Sequence, residues 1–252
     1  MYKHMTHILI TRPHEESIEL AAQLNLPGLH PIVMPLFTFS SHDPGPTIQE
    51  ALAEPTSRKL AIFTSPRAVQ FGLKYIPPKN LNKLEYAAIG SATRANLEKN
   101  GLTVQLQSSS GYTSEDLLQV PELANDPGSA IILCAPGGRK KLAKGLQDLG
   151  WTVKMAMVYQ RQPLRPTQDQ ADEIVAAENL ISVWTSISAL DLAREYLPRT
   201  TWSKILHAPA LVISARIKHH LQQAGATKVE LAEGPGNNEL LRSIQAEFSK
   251  NG

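Results

Sequence analysis

A single cysteine, Cys134, occurs in the 252 residues, and it lies inside the apolar run Ala130 to Ala135. Neither an intrachain disulfide nor a cysteine metal cluster can therefore form, and a reducing compartment is the expected setting. No apolar run approaches the roughly 18 residues expected of a membrane span, and residues 1–11 lack the long apolar stretch of an export signal. A cytoplasmic protein without membrane contact is expected. Excess charge of either sign is missing too, since 25 Lys and Arg against 23 Asp and Glu leave a formal charge of +2. No concentrated basic face with interleaved aromatics emerges, so nucleic acid is not an expected partner. An anionic small molecule remains compatible with this weakly basic balance. With 42% hydrophobic and 19% charged residues, the composition belongs to a folded chain with a real core.

Several chemistry-bearing motifs are also absent. The dinucleotide fingerprint G-x-G-x-x-G does not occur, and Gly137-Gly138-Arg139-Lys140-Lys141 lacks the spacing of a phosphate P-loop, so no nucleotide cofactor is expected. There is no G-x-S-x-G elbow, and no Ser, His and acid constellation can be argued from spacing. His219 and His220 are adjacent within a helical pattern and point about 100° apart, which is not the i, i+4 arrangement of a helical metal pair. Metal binding is not expected.

What is present is an alternation of short apolar runs with amphipathic stretches. Ten candidate strands read His7 to Thr11, Ile32 to Phe37, Leu60 to Ser65, Tyr86 to Gly90, Val104 to Gln107, Ala130 to Ala135, Val153 to Gln160, Leu180 to Ser186, Ala210 to Ser214 and Lys228 to Ala232. Helical patterns follow several of them, including Leu142, Leu146 and Leu149 ending at Gly150. This predicts an α/β fold with parallel sheets covered on both faces.

An internal repeat runs through the pattern. Thr64-Ser65-Pro66-Arg67-Ala68-Val69 matches Thr185-Ser186-Ile187-Ser188-Ala189-Leu190 at a shift of 121, and Ile89-Gly90-Ser91 through Gly101 matches Ile213-Ser214-Ala215 through Gly225 at 124. Gly28 pairs with Gly150 at 122, and Glu115-Asp116-Leu117 with Asn238-Glu239-Leu240 at 123. The chain reads as a duplicated five-stranded unit. A clean division near residue 123 and a swapped one split the strands equally well. The connector-like segments Phe37 to Pro46 and Tyr159 to Pro166, at equivalent places in the two repeats, hint at the swapped cut.

Ligands of open parallel sheets bind beyond the carboxyl ends of the strands, where turns present backbone N–H groups. Here those turns read Thr11-Arg12-Pro13, Ser65-Pro66-Arg67, Gly90-Ser91-Ala92-Thr93, Ala135-Pro136-Gly137-Gly138-Arg139, Thr185-Ser186-Ile187-Ser188 and Ser214-Ala215-Arg216. Small hydroxyl residues or glycine dominate, often beside a basic residue. Helix capping alone accounts equally well for Ser65 or Ser186 taken singly. Arg139, Lys140 and Lys141 open a helix, where each positive charge opposes the macrodipole by about 0.3–1 kcal/mol. An anionic ligand there would reverse the sign, and a solvated turn accounts as well for Lys140 and Lys141. Tyr159, in Val158-Tyr159-Gln160-Arg161 at the end of a long strand, reads on its own as packing with a wet hydroxyl.

Taken in order, these segments resemble the uroporphyrinogen-III synthase family across essentially the whole chain. The resemblance runs through Leu9-Ile10-Thr11-Arg12-Pro13, Phe63-Thr64-Ser65-Pro66-Arg67-Ala68-Val69, Ile89-Gly90-Ser91-Ala92-Thr93, Val158-Tyr159-Gln160-Arg161, Trp184-Thr185-Ser186 and Ser214-Ala215-Arg216. It implies two flavodoxin-like lobes, each a five-stranded parallel sheet flanked by helices, joined by a two-stranded linker. Residues 1–37 with 165–252 would form one lobe and 38–164 the other. The implied reaction is dehydrative cyclisation of hydroxymethylbilane, a linear tetrapyrrole octacarboxylate, with inversion of ring D through a spiro intermediate, to uroporphyrinogen III. No cofactor or metal is implied.

By the same resemblance Tyr159 is the general acid that assists loss of the hydroxyl. Ser65, Ser91, Thr93, Gly138, Ser186, Ser188 and Ser214 are substrate-binding candidates, with Arg12, Arg139, Arg161 and Arg216 for carboxylates. Some family members carry a Thr-containing turn where this chain has Ser214-Ala215-Arg216, which offers Arg216 as a carboxylate binder there. A monomer is implied, with transient contact to hydroxymethylbilane synthase. A non-catalytic protein that senses a tetrapyrrole or another polyanion on the same fold is the alternative.

Overall fold

The computed structural model of the protein describes residues 5–24, 26–108, 111, 113–138 and 140–251. Along the chain come β1 (Thr6–Ile10), α1 (His14–Gln23), β2 (Leu29–Val33), β3 (Phe37–Ser41), α2 (Thr47–Ala53), β4 (Lys59–Phe63), α3 (Pro66–Gly72), α4 (Pro78–Leu81), β5 (Glu85–Ala88) and α5 (Ser91–Lys99). Next are α6 (Ser114–Leu118), β6 (Ser129–Cys134), α7 (Lys140–Asp148), β7 (Thr152–Met157), β8 (Tyr159–Pro163), α8 (Gln168–Ala176) and β9 (Asn179–Trp184). The chain finishes with α9 (Ile187–Tyr196), α10 (Arg199–His207), β10 (Ala210–Val212), α11 (Ala215–Gln223), β11 (Val229–Leu231) and α12 (Asn237–Asn251). None of the described helices is long and apolar enough to cross a membrane.

Two units divide the chain, Met1–Thr38 with Gln162–Gly252, and Phe39–Arg161. The first holds a parallel sheet in the order β11-β10-β9-β1-β2. The second holds a parallel sheet in the order β5-β4-β6-β7. A two-stranded ribbon of β3 and β8 lies where the chain passes from one unit to the other.

The two sheet orders are the same once the repeat is applied. β4, β5, β6 and β7 correspond to β9, β10, β1 and β2, and the expected strand Val104 to Gln107 corresponds to β11. In the structure that strand is reduced to one parallel bridge, Ala87 to Leu106, so the second sheet has four strands among the described residues rather than five. The segment is held mainly by Tyr86, whose carbonyl accepts from the N–H groups of both Gln105 and Leu106, at 3.0 and 3.1 Å. The expected strand Val153 to Gln160 also differs. It breaks at Val158, whose N–H donates to Cys134 at 3.0 Å and so stays with the sheet, after which Tyr159 opens β8.

Burial explains the strand composition. All six residues of β6 are buried, because a central parallel strand is covered by helices on both sides. Its alternate side chains feed two cores, one with Phe63, Ala61 and Val69, the other with Leu60, Ile62 and Leu142. The helix-ending glycines Gly101 and Gly225, matched in the repeat, both have positive φ, +78° and +109°, where a side chain would be strained. Gly72 serves packing instead. A Cβ there would come within 2.7 Å of the Leu133 side chain, so only glycine lets α3 lie so close to β6.

Tyr86 gives a stability prediction. It is 3% exposed, its hydroxyl donates to the Leu81 carbonyl at 2.8 Å, and burial pushes its pKa up to about 12. An unfolded chain ionises this group near pH 10, so between about 10 and 12 the unfolded state carries fewer protons and stability falls as pH rises. Allowing for partial screening, the loss is on the order of 2 kcal/mol. Tyr86→Phe forgoes the hydrogen bond, worth about 1 kcal/mol, but does not ionise. It should be less stable than the parent at pH 8 and more stable at pH 12, in urea melts at each pH. Parallel curves for the two proteins would contradict this account.

Candidate functional site

Sheet order singles out a candidate site in each unit. In each sheet one boundary separates strands whose connections run in opposite directions, and a crevice opens beyond the carboxyl ends there. In the first unit that boundary lies between β1 and β9, and in the second between β4 and β6. Both are latched by a strand-end threonine. Thr11 Oγ1 donates to the Val183 carbonyl at 2.8 Å, and Thr64 Oγ1 to the Leu133 carbonyl at 3.0 Å. A pocket lined by Thr6, Asn179, Lys204, His207 and Lys228 is at the opposite, amino ends of the strands.

In the second unit the boundary gathers Ser65 and Tyr159. Ser65 is the N-cap of α3, with Pro66 at the first helical position, and its Oγ accepts from the Ala68 N–H at 3.1 Å. The capping reading therefore holds for Ser65. The same Oγ is 3.0 Å from the Tyr159 hydroxyl, and either oxygen can be the donor. The Tyr159 ring stacks on Phe71 at 6.0 Å and meets Phe39 edge-on at 5.8 Å, which leaves the residue 9% exposed. Guanidinium groups of Arg67 and Arg161 lie over the Phe39 ring at 4.8 and 5.8 Å. A phenol is thus held by aromatic packing beside a hydroxyl, with two cations over the neighbouring Phe39 ring.

The remaining candidates of this unit fare differently. Ser91 is exposed at the first position of α5, whose cap residue is Gly90, while Thr93 is 3% exposed and turned into the unit. Gly138 does not offer a free amide, because its N–H donates to the Ala135 carbonyl at 3.2 Å. Arg139 lies outside the described residues. Lys141, at the start of α7, is 3.7 Å from Glu115 with both side chains well exposed, which is the solvated arrangement.

In the first unit Arg12 follows β1 and is half-buried. Its Nη1 donates to Asn237 Oδ1 at 2.6 Å, and its Nε is buried with no hydrogen-bond partner among the described residues. Burial lowers its pKa from the ordinary arginine value, opposed by Glu16 and Glu19, and the group stays cationic. The turn is fixed from behind by Ser17, whose hydroxyl donates to the Arg12 carbonyl at 2.8 Å. Ser186 caps α9 by position but its side chain makes no cap hydrogen bond, and Ser188 is exposed one turn position later. Ser214 does cap α11, accepting from Ile217 N–H at 3.4 Å, and leaves exposed Arg216 in the first helical turn.

Three residues in contact with the candidates escaped the sequence reading. Phe39 and Phe71 come from a connector and a helix, and nothing in their spacing signals a cage around Tyr159. Asn237 carried a usable signal, the glycine-bracketed run Gly234-Pro235-Gly236-Asn237 leading from the end of β11 into α12.

A pair of open parallel sheets with matched switch points, hydroxyl-rich strand ends and arginines beside them defines a two-unit α/β protein. Comparison with known proteins narrows the class. The family model described as Uroporphyrinogen-III synthase HemD matches residues 18–242, and the chain belongs to that family. It is 31% identical to the uroporphyrinogen-III synthase of Escherichia coli (strain K12) over 94% of this chain and 99% of that one. It is 30% identical to that of Salmonella typhimurium, with the same coverage of each. Its fold is similar to the uroporphyrinogen-III synthetase from Helicobacter pylori, with a TM-score of 0.63 at 18% identity, covering 96% of this chain and 99% of that one. A mutant uroporphyrinogen III synthase from Thermus thermophilus gives a TM-score of 0.60 at 16% identity, over 97% and 99%. The non-catalytic alternative finds no support among these relatives.

Proposed function

We propose that the chain performs the reaction of its family, closing hydroxymethylbilane to uroporphyrinogen III with loss of water and inversion of ring D. The observation that carries the reading at the level of the site is the Tyr159 to Ser65 hydroxyl pair at 3.0 Å, held at a switch point with Arg67 and Arg161 alongside. Tyr159 donates its proton to the departing hydroxyl. Arg12, Arg161, Arg216 and Arg139 receive carboxylates, with Ser65, Ser91, Thr93, Gly138, Ser186, Ser188 and Ser214 as the further binding set. Thr93 and Gly138 are its weakest members, for the burial and the committed amide described above.

The chemistry demands geometry more than activation. Hydroxymethylbilane closes unaided to the symmetric type I isomer, so the protein has to hold the chain where ring D reacts through its substituted carbon. In this reading residues 1–37 with 165–252 and residues 38–164 act as the two lobes, each built on the repeated strand order. The protein works as a cytoplasmic monomer that takes its substrate from hydroxymethylbilane synthase.

The test supplies the purified protein with hydroxymethylbilane generated in situ, oxidises the products and separates uroporphyrin isomers I and III. Isomer III should predominate and should be lost when the protein is heated. Isomer I alone from folded protein would overturn the proposal.

A further inference from the structure

A second cluster of chemistry-bearing side chains lies in the first unit, away from the switch point. β1 and β2 pair in parallel with His7 directly opposite His30, so both imidazoles project from the same face of the sheet. Their ring centroids are 5.1 Å apart at an interplanar angle of 65°. Glu173, on α8, reaches the same place, with its Oε1 2.8 Å from His30 Nε2. One ligand atom from each of the three residues lies within 4.8 Å of the other two. The Nδ1 of His7 is buried and has no hydrogen-bond partner among the described residues, an arrangement that calls for an explanation.

We propose that His7, His30 and Glu173 form a binding site for a divalent transition-metal ion, zinc being the best match to two imidazoles and one carboxylate. Tetrahedral coordination at 2.0–2.1 Å places ligand atoms about 3.3 Å apart. The observed separations, 2.8 Å between Glu173 and His30 and no more than 4.8 Å for any pair, are within side-chain rotation of that spacing. His30 and Glu173 have side-chain exposures of 49% and 39%, which gives the ion a path in and leaves a fourth position for water.

The site belongs to the scaffold. His7 is five residues before Arg12, about 16 Å along an extended strand, so the ion does not meet the substrate. It ties the β1–β2 edge to α8.

The experiment uses full-length, tag-free protein stripped with a chelator and titrated with Co2+ as a visible probe, then with Zn2+ in competition. One Co2+ per chain should give the intense visible bands of tetrahedral coordination, which zinc abolishes, and zinc should raise the melting temperature. His30→Gln and Glu173→Gln, both half-exposed positions, should melt like the metal-free parent without metal. Each should bind more weakly by more than the roughly 10–100-fold that loss of an outer partner costs. His219→Gln, on α11, should bind as the parent does, and isomer III turnover should be the same with and without zinc. Absence of the visible bands, or equal binding by parent and both site variants, would overturn the proposal.

Discussion

Replacing Tyr159 by Phe is expected to slow formation of uroporphyrinogen III about tenfold while leaving the fold in place. General acids commonly contribute about 100-fold or more, but this substrate closes without help, so departure of its hydroxyl presents a modest barrier and the acid's share is smaller. Phe keeps the stack on Phe71 and the edge contact with Phe39, so the ring stays where it is. Only the bond to Ser65 is lost, at about 1 kcal/mol of stability. KM should barely move, because the proton is needed in the transition state and not for holding carboxylates. Isomer I should rise as a share of product, since uncatalysed closure then competes. Ser65→Ala separates the neighbouring role. It removes the α3 cap, costing about 1 kcal/mol, and should reduce turnover less than the Tyr159 change. Unaltered kcat in Tyr159→Phe would take the phenol out of the mechanism.

The duplication could be read from the chain because its period is fixed by residues whose backbone or burial leaves little choice. Gly101 and Gly225 end equivalent helices with positive φ, and both threonine latches sit in quoted strand-end motifs. Strand existence followed from apolar runs for the same reason, since a strand covered on both faces must be apolar throughout. Strand limits did not follow. Val153 to Gln160 is continuous in composition, yet Val158 is the last residue bonded to the sheet, through Cys134, and Tyr159 pairs in the ribbon instead, a change of partner that no local pattern encodes.

The site was legible where one residue acts through its own turn and illegible where two distant segments meet. Ser65 at the start of a helix after Phe63 and Thr64 announces itself. The link from Ser65 to Tyr159 spans 94 residues and depends on sheet order. The Gly137-Gly138 turn illustrates the converse, a composition suited to anion binding whose Gly138 amide is already committed to Ala135. A scan for metal ligands at helical spacing was equally blind to His7 and His30, which strand register alone brings face to face.

The largest effect on stability is expected at Trp184, the last residue of β9 and the one that delivers the chain into Thr185 and Ser186. Its side chain is fully buried and meets Trp202 of α10 edge-on, with centroids 6.3 Å apart. Trp184→Ala deletes the largest side chain of that face and leaves a cavity, at a cost of about 3–5 kcal/mol. That is a large share of the roughly 5–15 kcal/mol available to a folded protein, and it lowers the melting temperature by about 6–20 °C. Trp184→Phe should cost far less, about 1 kcal/mol or under. Phe keeps most of the ring and removes an indole N–H that is buried with no partner among the described residues, so the lost packing is offset by relief of an unsatisfied donor. Urea melts of the parent and both variants decide the point. A Phe variant as damaged as the Ala variant would mean that the indole N–H has a partner, such as an internal water, whose loss outweighs the retained packing. A mild Phe phenotype with isomer III still dominant would place the role of Trp184 in filling the space beneath the Ser186 turn.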